Sequence, residues 1–157
     1  MEVVDICMET GRHNLIEWCF DTKRIVEFVQ DNIGHRPDFG PCAAIGVQEN
    51  GILFCGVVYN EYREPEGDVR MHIAATNPKW CLPGRIRAFF DYPFNQLGCQ
   101  RVTAVVSEHN GAARKLDEYL GFVHEGTIRR GFPDGSDAIL YGMLKEECRW
   151  FQPKKRA

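Results

Sequence analysis

The sequence of 157 residues predicts an α+β fold with a mixed, mostly antiparallel central sheet flanked by helices. Two observations carry this prediction. Asn50-Gly51 separates two apolar runs, and an Asn-Gly pair in that setting is a strong signal for a tight hairpin. Residues 101–122 begin with a β-branched apolar run and continue with a helical pattern, which Asn110 can cap and Gly121 can end.

The first half of the chain is predicted to contain a strand, a helix and a meander. Apolar residues recur at helical spacing from residue 14 to residue 32, with a break near Asp21 where Thr22 can cap the second part. A polar loop is expected at residues 60–68. The predicted strands cover residues 3–8, 43–47 and 52–59.

The second half alternates strands with helices. Residues 81–97 present an apolar face at helical spacing, and Pro93 predicts a kink or an early end near Asp91 because proline removes a backbone donor. The predicted strands cover residues 69–76, 102–106, 123–129 and 138–144. Without a linker or an internal repeat, this order of elements indicates one domain.

Composition and charge exclude several classes of function. The formal net charge of −3 offers no electrostatic footprint for nucleic acid. No apolar run approaches the ~18 residues of a membrane span, and the mixed, acidic N-terminus does not resemble a signal peptide. The seven cysteines are irregularly spaced and the five histidines are scattered, which predicts free thiols in a reducing cytoplasm and no metal site.

The unit around Asn110 resembles a known family. Asn110, Ala113 and the pair Gly121-Phe122 match the Asn-x-x-Ala…Gly-Phe signature of the GNAT N-acetyltransferases. Residues 92–98 resemble the end of a helix in the same family. The resemblance covers most of the chain, and it implies the GNAT arrangement of sheet and helices.

Other segments resemble particular branches of that family. The closing strands resemble the branch that acetylates ribosomal proteins, and residues 71–81 resemble small phage and prophage acetyltransferases. The resemblance implies one GNAT-like domain over residues 1–150, followed by a basic tail at residues 151–157.

The resemblance also implies acetyl-CoA as co-substrate, held first by a strand that separates from its neighbour. In the family, the free edge of this strand pairs with the pantetheine arm. The matching residues are Ala74, Ala75 and Thr76, whose small side chains leave room for the arm. The alternative is that Ala74 and Ala75 are core residues packed under a helix.

A helix N-terminus is implied to receive the pyrophosphate, because exposed N–H groups and the positive end of the helix dipole favour an anion. The residues at this helix start are Cys81, Leu82, Gly84 and Arg85. The segment has one glycine where the family has two or three, and the charges of Lys79, Arg85 and Arg87 can compensate. The alternative is an ordinary helix start beside Pro83.

Asn110 is expected to cap its helix. The resemblance implies that Asn110 and Ala113 also lie against the pantetheine arm, and that Arg114 reaches a phosphate. The alternative for Arg114 is a solvated charge on the helix surface.

The catalytic residues are left open between three candidates. Acetyl transfer to an amine needs a base or a water chain for the amine proton. Many family members carry a tyrosine acid seven positions after the Asn, and Asp117 stands there in this chain. His72 is one candidate base, because histidine titrates near neutrality; Glu61 or Asp117, acting through water, are the others. His72 can equally be a strand histidine without a catalytic role.

The resemblance therefore implies a cytoplasmic N-acetyltransferase that acts on an amine of a protein or peptide, as a monomer or a homodimer. The acidic, aromatic segment at residues 59–68 can attract a cationic amine, or it can be a solvated turn. The alternative is a catalytically inactive protein with the same fold that binds a macromolecular partner. The reduced glycine content and the missing tyrosine favour this alternative, whereas the retained signature around Asn110 favours the enzyme.

Overall fold

The structure, a computed structural model, describes residues 15–151, and this part of the chain forms one seven-stranded sheet flanked by three α-helices. The strands are β1 (Ile16–Cys19), β2 (Cys42–Glu49), β3 (Ile52–Arg63), β4 (Asp68–Ala75), β5 (Arg101–Ser107), β6 (Val123–Ile128) and β7 (Ala138–Leu144). The helices are α1 (Thr22–Asn32), α2 (Pro83–Asp91) and α3 (Gly111–Leu120).

The strands follow the order β1-β2-β3-β4-β5-β7-β6 across the sheet. Every neighbouring pair is antiparallel except β4 and β5, which run parallel. The predicted mixed, mostly antiparallel sheet is confirmed. The hairpin between β2 and β3 is confirmed as well, since Asn50 and Gly51 both have positive φ, at 51° and 79°.

The prediction of the N-terminal helix is wrong for the residues that precede Thr22. Ile16–Cys19 form strand β1, which pairs with β2, and α1 begins only at Thr22. Asp21, not Thr22, is the cap, and its side chain accepts from the backbone N–H of Arg24 at 3.2 Å. A four-residue run is too short for periodicity to distinguish a strand from a helix. The predicted strand at residues 3–8 lies outside the described residues.

Helix α1 covers one face of the sheet, over β2, β3 and β4. Its fully buried side chains Ile25 and Val29 cluster with Ala74 of β4. A Cβ atom on Gly56 of β3 would lie 3.0 Å from both Ile25 Cγ2 and Val29 Cγ2. Glycine at this position therefore lets the helix rest directly on the strand.

The opposite face packs against α2, α3 and the C-terminal segment. Its large buried side chains are Phe89, Phe90, Phe94, Leu120, Tyr141 and Met143. Helix α2 ends at Asp91 and continues as one π-helical turn, Tyr92–Gln96, so the early end predicted from Pro93 is confirmed. Phe151 packs against Phe94 with 6.3 Å between ring centroids, and residues 152–157 of the predicted tail lie outside the described residues.

Strand β3 is longer than expected, because part of the predicted polar loop continues the strand to Arg63. A bulge interrupts its pairing with β4 between Asn60 and Arg63. Glu61 lies in this bulge with φ of 49°. The bulge admits exposed polar residues into the end of a strand, which sequence patterning alone assigns to a loop.

Candidate functional site

The centre of the sheet opens between its two parallel strands. Within the described chain, β4 and β5 pair at three positions, from Asp68 opposite Arg101 to Arg70 opposite Thr103, and not beyond. Strand β4 stays paired with β3 as far as Ala75. The gap between the unpaired halves of β4 and β5 is called the split below. A cofactor strand of the predicted kind has to separate from its neighbour, and β4 separates from β5 beyond Arg70.

Register decides which backbone groups of β4 face the split. The N–H of Thr76 donates to the carbonyl of Phe54 on β3 at 2.9 Å. Bonding alternates along an antiparallel pair, so even-numbered residues of β4 bond to β3 and odd-numbered residues face the split. Ala75 therefore presents its backbone to the split, whereas Ala74 and Thr76 do not. Met71 and Ile73, which sequence reasoning missed, do.

The same argument applies to β5. Gln100 accepts from Lys145, and Glu108 donates to Asp137, so even-numbered residues of β5 bond to β7. The N–H and carbonyl groups of Val105 therefore face the split from the other side. The split thus has two facing rows of backbone groups, with which no described strand pairs.

Side chains hold the paired end of the split together. The hydroxyl of Thr103 donates to Asp68 at 2.8 Å, joining β5 to β4. The guanidinium of Arg101 binds Glu125 at 2.7 Å, and this ion pair lies across Gly142, where a Cβ atom would meet Glu125 Oε1 at 2.4 Å. These contacts fix the point at which β4 and β5 separate.

The start of α2 follows β4 and offers only part of an anion site. Leu82 is 54% exposed, and the space around Gly84 is open, since a Cβ atom added there would have no neighbour within 4 Å. Pro83 has no N–H, and the N–H of Arg85 already donates to the carbonyl of Leu82 at 2.9 Å. Backbone donors are therefore fewer here than at an ordinary helix start.

The charges near this helix start are partly engaged. The ammonium group of Lys79 binds the carboxylate of Glu49 at 3.0 Å. The guanidinium of Arg85 donates to the backbone carbonyl of Lys79. Cys81 is half-buried and packs against the core. Either cation has to exchange its present partner in order to bind a phosphate.

Helix α3 begins at the end of β5, as predicted. The side chain of Asn110 accepts from the N–H of Ala113 at 3.1 Å, which confirms Asn110 as the cap. Ala113 packs against the core. The Nε–H of Arg114 donates to the hydroxyl of Tyr141 at 3.4 Å, so this side chain is directed towards β7.

Asp117 lies on the buried side of α3. It is 7% exposed, and its Oδ2 is the buried side-chain oxygen that has no hydrogen-bond partner within residues 15–151. Burial, and then the neighbouring charge of Glu118, raise the pKa of Asp117 to about 7. An unpartnered buried carboxyl that is partly protonated at neutral pH is typical of a functional position.

His72 lies on the other face of the sheet, the face that α1 covers. Its Nε2 is 2.9 Å from Oδ1 of Asn60, whose amide donates to the carbonyl of Phe39. Because Asn60 presents an oxygen, the histidine is the donor and carries its proton on Nε2. Burial, followed by the proximity of Arg70 and His35, lowers the pKa of His72 to about 4. The ring is neutral at physiological pH.

Glu61 is linked to the strand that carries His72 by an ion pair with Arg70. Its carboxylate accepts from Nε of Arg70 at 2.9 Å, and Arg70 is two residues before His72 on the same face of β4. Arg70 therefore lies between two of the three catalytic candidates, Glu61 and His72. Asp117 belongs to the opposite face.

Among the described residues, no group of three or more His, Cys, Asp or Glu side chains is arranged to hold a metal ion. No helix in residues 15–151 has the length and apolar character needed to cross a bilayer.

No protein-family model matches the sequence, and no curated protein sequence matches it significantly. Solved structures are similar. A variant of the spermidine N-acetyltransferase SpeG from Vibrio cholerae superposes with a TM-score of 0.68 at 15% identity, over 87% of this chain and 96% of that one. SpeG from the same organism in complex with manganese ions gives 0.62 at 17% identity, over 82% and 92%.

A third structure, of a protein described as a probable acetyltransferase, gives a TM-score of 0.63 at 19% identity, over 87% of this chain and 96% of that one. At these identities the similarity establishes the fold. The chain has the GNAT fold of these acetyltransferases, and the predicted fold class is confirmed.

Proposed function

We propose that this protein is an acetyl-CoA-dependent N-acetyltransferase, which transfers the acetyl group to a primary amine. One observation carries the proposal. Two parallel strands separate in the middle of the sheet, and each presents unpaired backbone groups to the gap. An extended amide-bearing chain such as pantetheine satisfies such groups as an added strand does.

The residues that would hold acetyl-CoA follow from this geometry. The backbone of Met71, Ile73 and Ala75 would pair with the pantetheine amides. The start of α2 at Gly84 would receive the pyrophosphate, because it is open and carries the positive end of the helix dipole. Asn110 would line the arm from the start of α3.

The chemistry requires that the amine lose a proton and that the thiolate of CoA leave. His72 is neutral at physiological pH, so its unprotonated nitrogen can accept a proton, although its lowered pKa makes it a weak base. Asp117, with a pKa raised to about 7, is protonated in part of the population at neutral pH. In that form it can donate to the departing sulfur. Glu61 can act through water beside His72.

The acceptor is proposed to be an amine of a protein or peptide. The SpeG structures of similar fold are described as spermidine or spermine N-acetyltransferases, which makes a polyamine the competing choice. Both acceptors present a primary amine on a flexible chain, so the chemistry at the split would be the same.

An inactive binding protein is the second candidate. The shortage of backbone donors at Pro83 and Arg85, together with the engagement of Lys79 by Glu49, supports it. Both features weaken a pyrophosphate site. Acetyl-CoA affinity therefore separates the two candidates.

The deciding experiment is a thermal shift with acetyl-CoA and with desulfo-CoA. A ligand that binds only the folded state stabilises it by about 2.7 kcal/mol at a hundredfold excess over its Kd. Both ligands are expected to raise the Tm, and acetyl-CoA with a diamine is expected to release free CoA. If millimolar acetyl-CoA leaves the Tm unchanged, the enzyme proposal is wrong and the binding protein replaces it.

A further inference from the structure

A cleft of about 450 Å³ lies between the β2–β3 hairpin and the segment that joins β4 to α2, and we name it the hairpin cleft. Ile52 and Phe54 of β3 give it an apolar wall, whereas Glu49 and Lys79 give it a charged wall. Ile52 is 73% exposed, although its side chain is large and apolar. A further segment that covered this wall would therefore bury apolar surface, which is favourable.

The charged wall of the hairpin cleft is one ion pair. The ammonium nitrogen of Lys79 lies 3.0 Å from Oε1 of Glu49, and the side chain of Lys79 is 47% exposed. The side chain of Asn77 accepts from the backbone N–H of Lys79 at 2.9 Å, which holds this residue at the cleft. Because an ammonium group has three donors, Lys79 can bind a second carboxylate in addition to Glu49.

The described part of the chain begins at the rim of the hairpin cleft. The N–H of Leu15 donates to Oδ1 of Asn50 at 3.1 Å, and the carbonyl of Leu15 accepts from the N–H of Asn50 at 2.9 Å. Asn50 lines the cleft, so residues 1–14 are attached to the sheet beside it. The chain from Met8 to Leu15 can span about 24 Å when it is extended, which is enough to bring the residues before Met8 to any part of the cleft.

The sequence of residues 2–9 complements both walls of the cleft. Val4, Ile6 and Met8 occupy alternate positions, so an extended chain would place their side chains on one face. The same eight residues include three acidic side chains and neither lysine nor arginine. The segment therefore offers an apolar face for the apolar wall and carboxylates for the cation.

We propose that residues 2–9 dock in the hairpin cleft, with their apolar face against Ile52 and a carboxylate bound to Lys79, and that this docking lowers the affinity for acetyl-CoA. The effect on acetyl-CoA rests on the proposed acetyltransferase activity. Lys79 precedes the start of α2, where the pyrophosphate would bind. A carboxylate on Lys79 competes with a phosphate for the same ammonium group. The N-terminal segment thereby acts as an internal competitor of the co-substrate.

NMR spectroscopy of the full-length protein, without acetyl-CoA, tests the docking. A nuclear Overhauser contact between the methyl groups of Ile6 and Ile52 is expected. If the methyl groups of residues 3–8 contact no residue of the cleft, the proposal is wrong. Contacts with Ile16 or Trp18 instead would place the segment on the outer edge of β1, and contacts seen only between labelled and unlabelled copies would place a second molecule in the cleft. Either result overturns the proposal.

Titration calorimetry with acetyl-CoA tests the competition. Ile6→Ser and Ile52→Ser remove one side of the apolar contact each, and both should tighten acetyl-CoA binding about two- to fivefold, the range that exposed ion pairs contribute. The double variant should bind no tighter than either single one, because both release the same segment. The controls are Cys7→Ser, which would face away from Ile52 in an extended segment, and Ile128→Ser, an exposed isoleucine on β6. Neither control should change the Kd.

The two proposals fail in different ways. If acetyl-CoA binds wild type and all of these variants with the same Kd, the segment does not compete with the co-substrate, and the acetyltransferase proposal stands. If acetyl-CoA binds none of them, the acetyltransferase proposal is wrong and the competition falls with it. The methyl contacts are measured without acetyl-CoA, so they decide in either case whether the segment docks.

Discussion

Each face of the sheet has a buried titratable group with a shifted pKa, and the two pKa values are shifted in opposite directions. On the α1 face, His72 is held by Asn60, and its pKa is lowered to about 4. On the α3 face, Asp117 has an oxygen without a partner, and its pKa is raised to about 7. Burial removes charge from both groups, so the imidazole is left able to accept a proton and the carboxyl able to donate one. In the proposed mechanism, His72 is the proton acceptor and Asp117 the proton donor, and the two lie on opposite faces of the sheet.

Replacing His72, the proposed proton acceptor, should have the largest effect. In His72→Gln, kcat is expected to fall by about 10²-fold, the lower end of the usual range for a general base, because the lowered pKa of His72 makes it a weak one. The KM for acetyl-CoA should hardly change. Steady-state kinetics measure both, with His124→Gln, an exposed histidine on β6, as the control. An unchanged kcat would assign the amine proton to water held by Glu61 or Asp117.

Removing the buried carboxyl should change the pH dependence of stability. An unfolded aspartate ionises near 3.8, whereas Asp117 ionises at about 7 in the folded state, so the wild-type protein loses stability as the pH rises from about 4 to 7. Asp117→Asn lacks this loss and should gain about 2 kcal/mol relative to wild type between pH 5 and pH 8.

Urea unfolding at pH 5 and at pH 8 measures this difference. Glu27→Gln, which changes an exposed carboxylate on α1, is the control and should shift little. A wild-type minus variant difference that is the same at both pH values would show that Asp117 does not titrate between pH 5 and pH 8 in the folded state.

Filling the contact between α1 and the sheet tests the packing of the α1 face. Gly56→Ala places a methyl group 3.0 Å from Ile25 and Val29, and overpacking of this kind costs about 1–3 kcal/mol. Thermal unfolding should therefore show a lower Tm. The matched control is Gly111→Ala on α3, where the space is open and the Tm should hold or rise. Equal Tm values for the two variants would mean that α1 can move away from β3.

The smallest expected effect concerns the start of α2. Gly84→Asp adds a negative charge where the pyrophosphate is proposed to bind, and should weaken acetyl-CoA binding about tenfold, or about 1.4 kcal/mol. Because the surroundings are open, the fold should survive. Titration calorimetry measures the affinity, and Gly126→Asp on β6 is the control. Unchanged affinity in Gly84→Asp would place the phosphates elsewhere.

Local signals predict much of the fold. The Asn50-Gly51 turn, the Asn110 cap and the stop at Pro93 depend on a few adjacent residues, and the structure has all three. Strand β1 is not predicted, because its four residues fit the periodicity of an α-helix as well as that of a β-strand. The location of the split follows from the family resemblance rather than from any local pattern.

The sequence does not predict the finer geometry of the site. Whether Ala74 or Ala75 faces the split depends on the register between β3 and β4, which the bulge between Asn60 and Arg63 shifts. The burial of Asp117 depends on how α3 packs, since a carboxylate in a helix is ordinarily expected to be exposed.

The unpaired backbone in the split has a consequence for solubility. Within the described residues, β1 and β6 are the outer strands of the sheet, and the split adds an unpaired edge on β4 and another on β5. The sheet therefore has four free strand edges instead of two. Free strand edges recruit strands from other molecules and begin aggregation. A chain that fills the split removes two of these edges at once. Storage stability and colloidal behaviour should therefore depend on occupancy of the split, and a ligand that fills it would protect the protein from self-association.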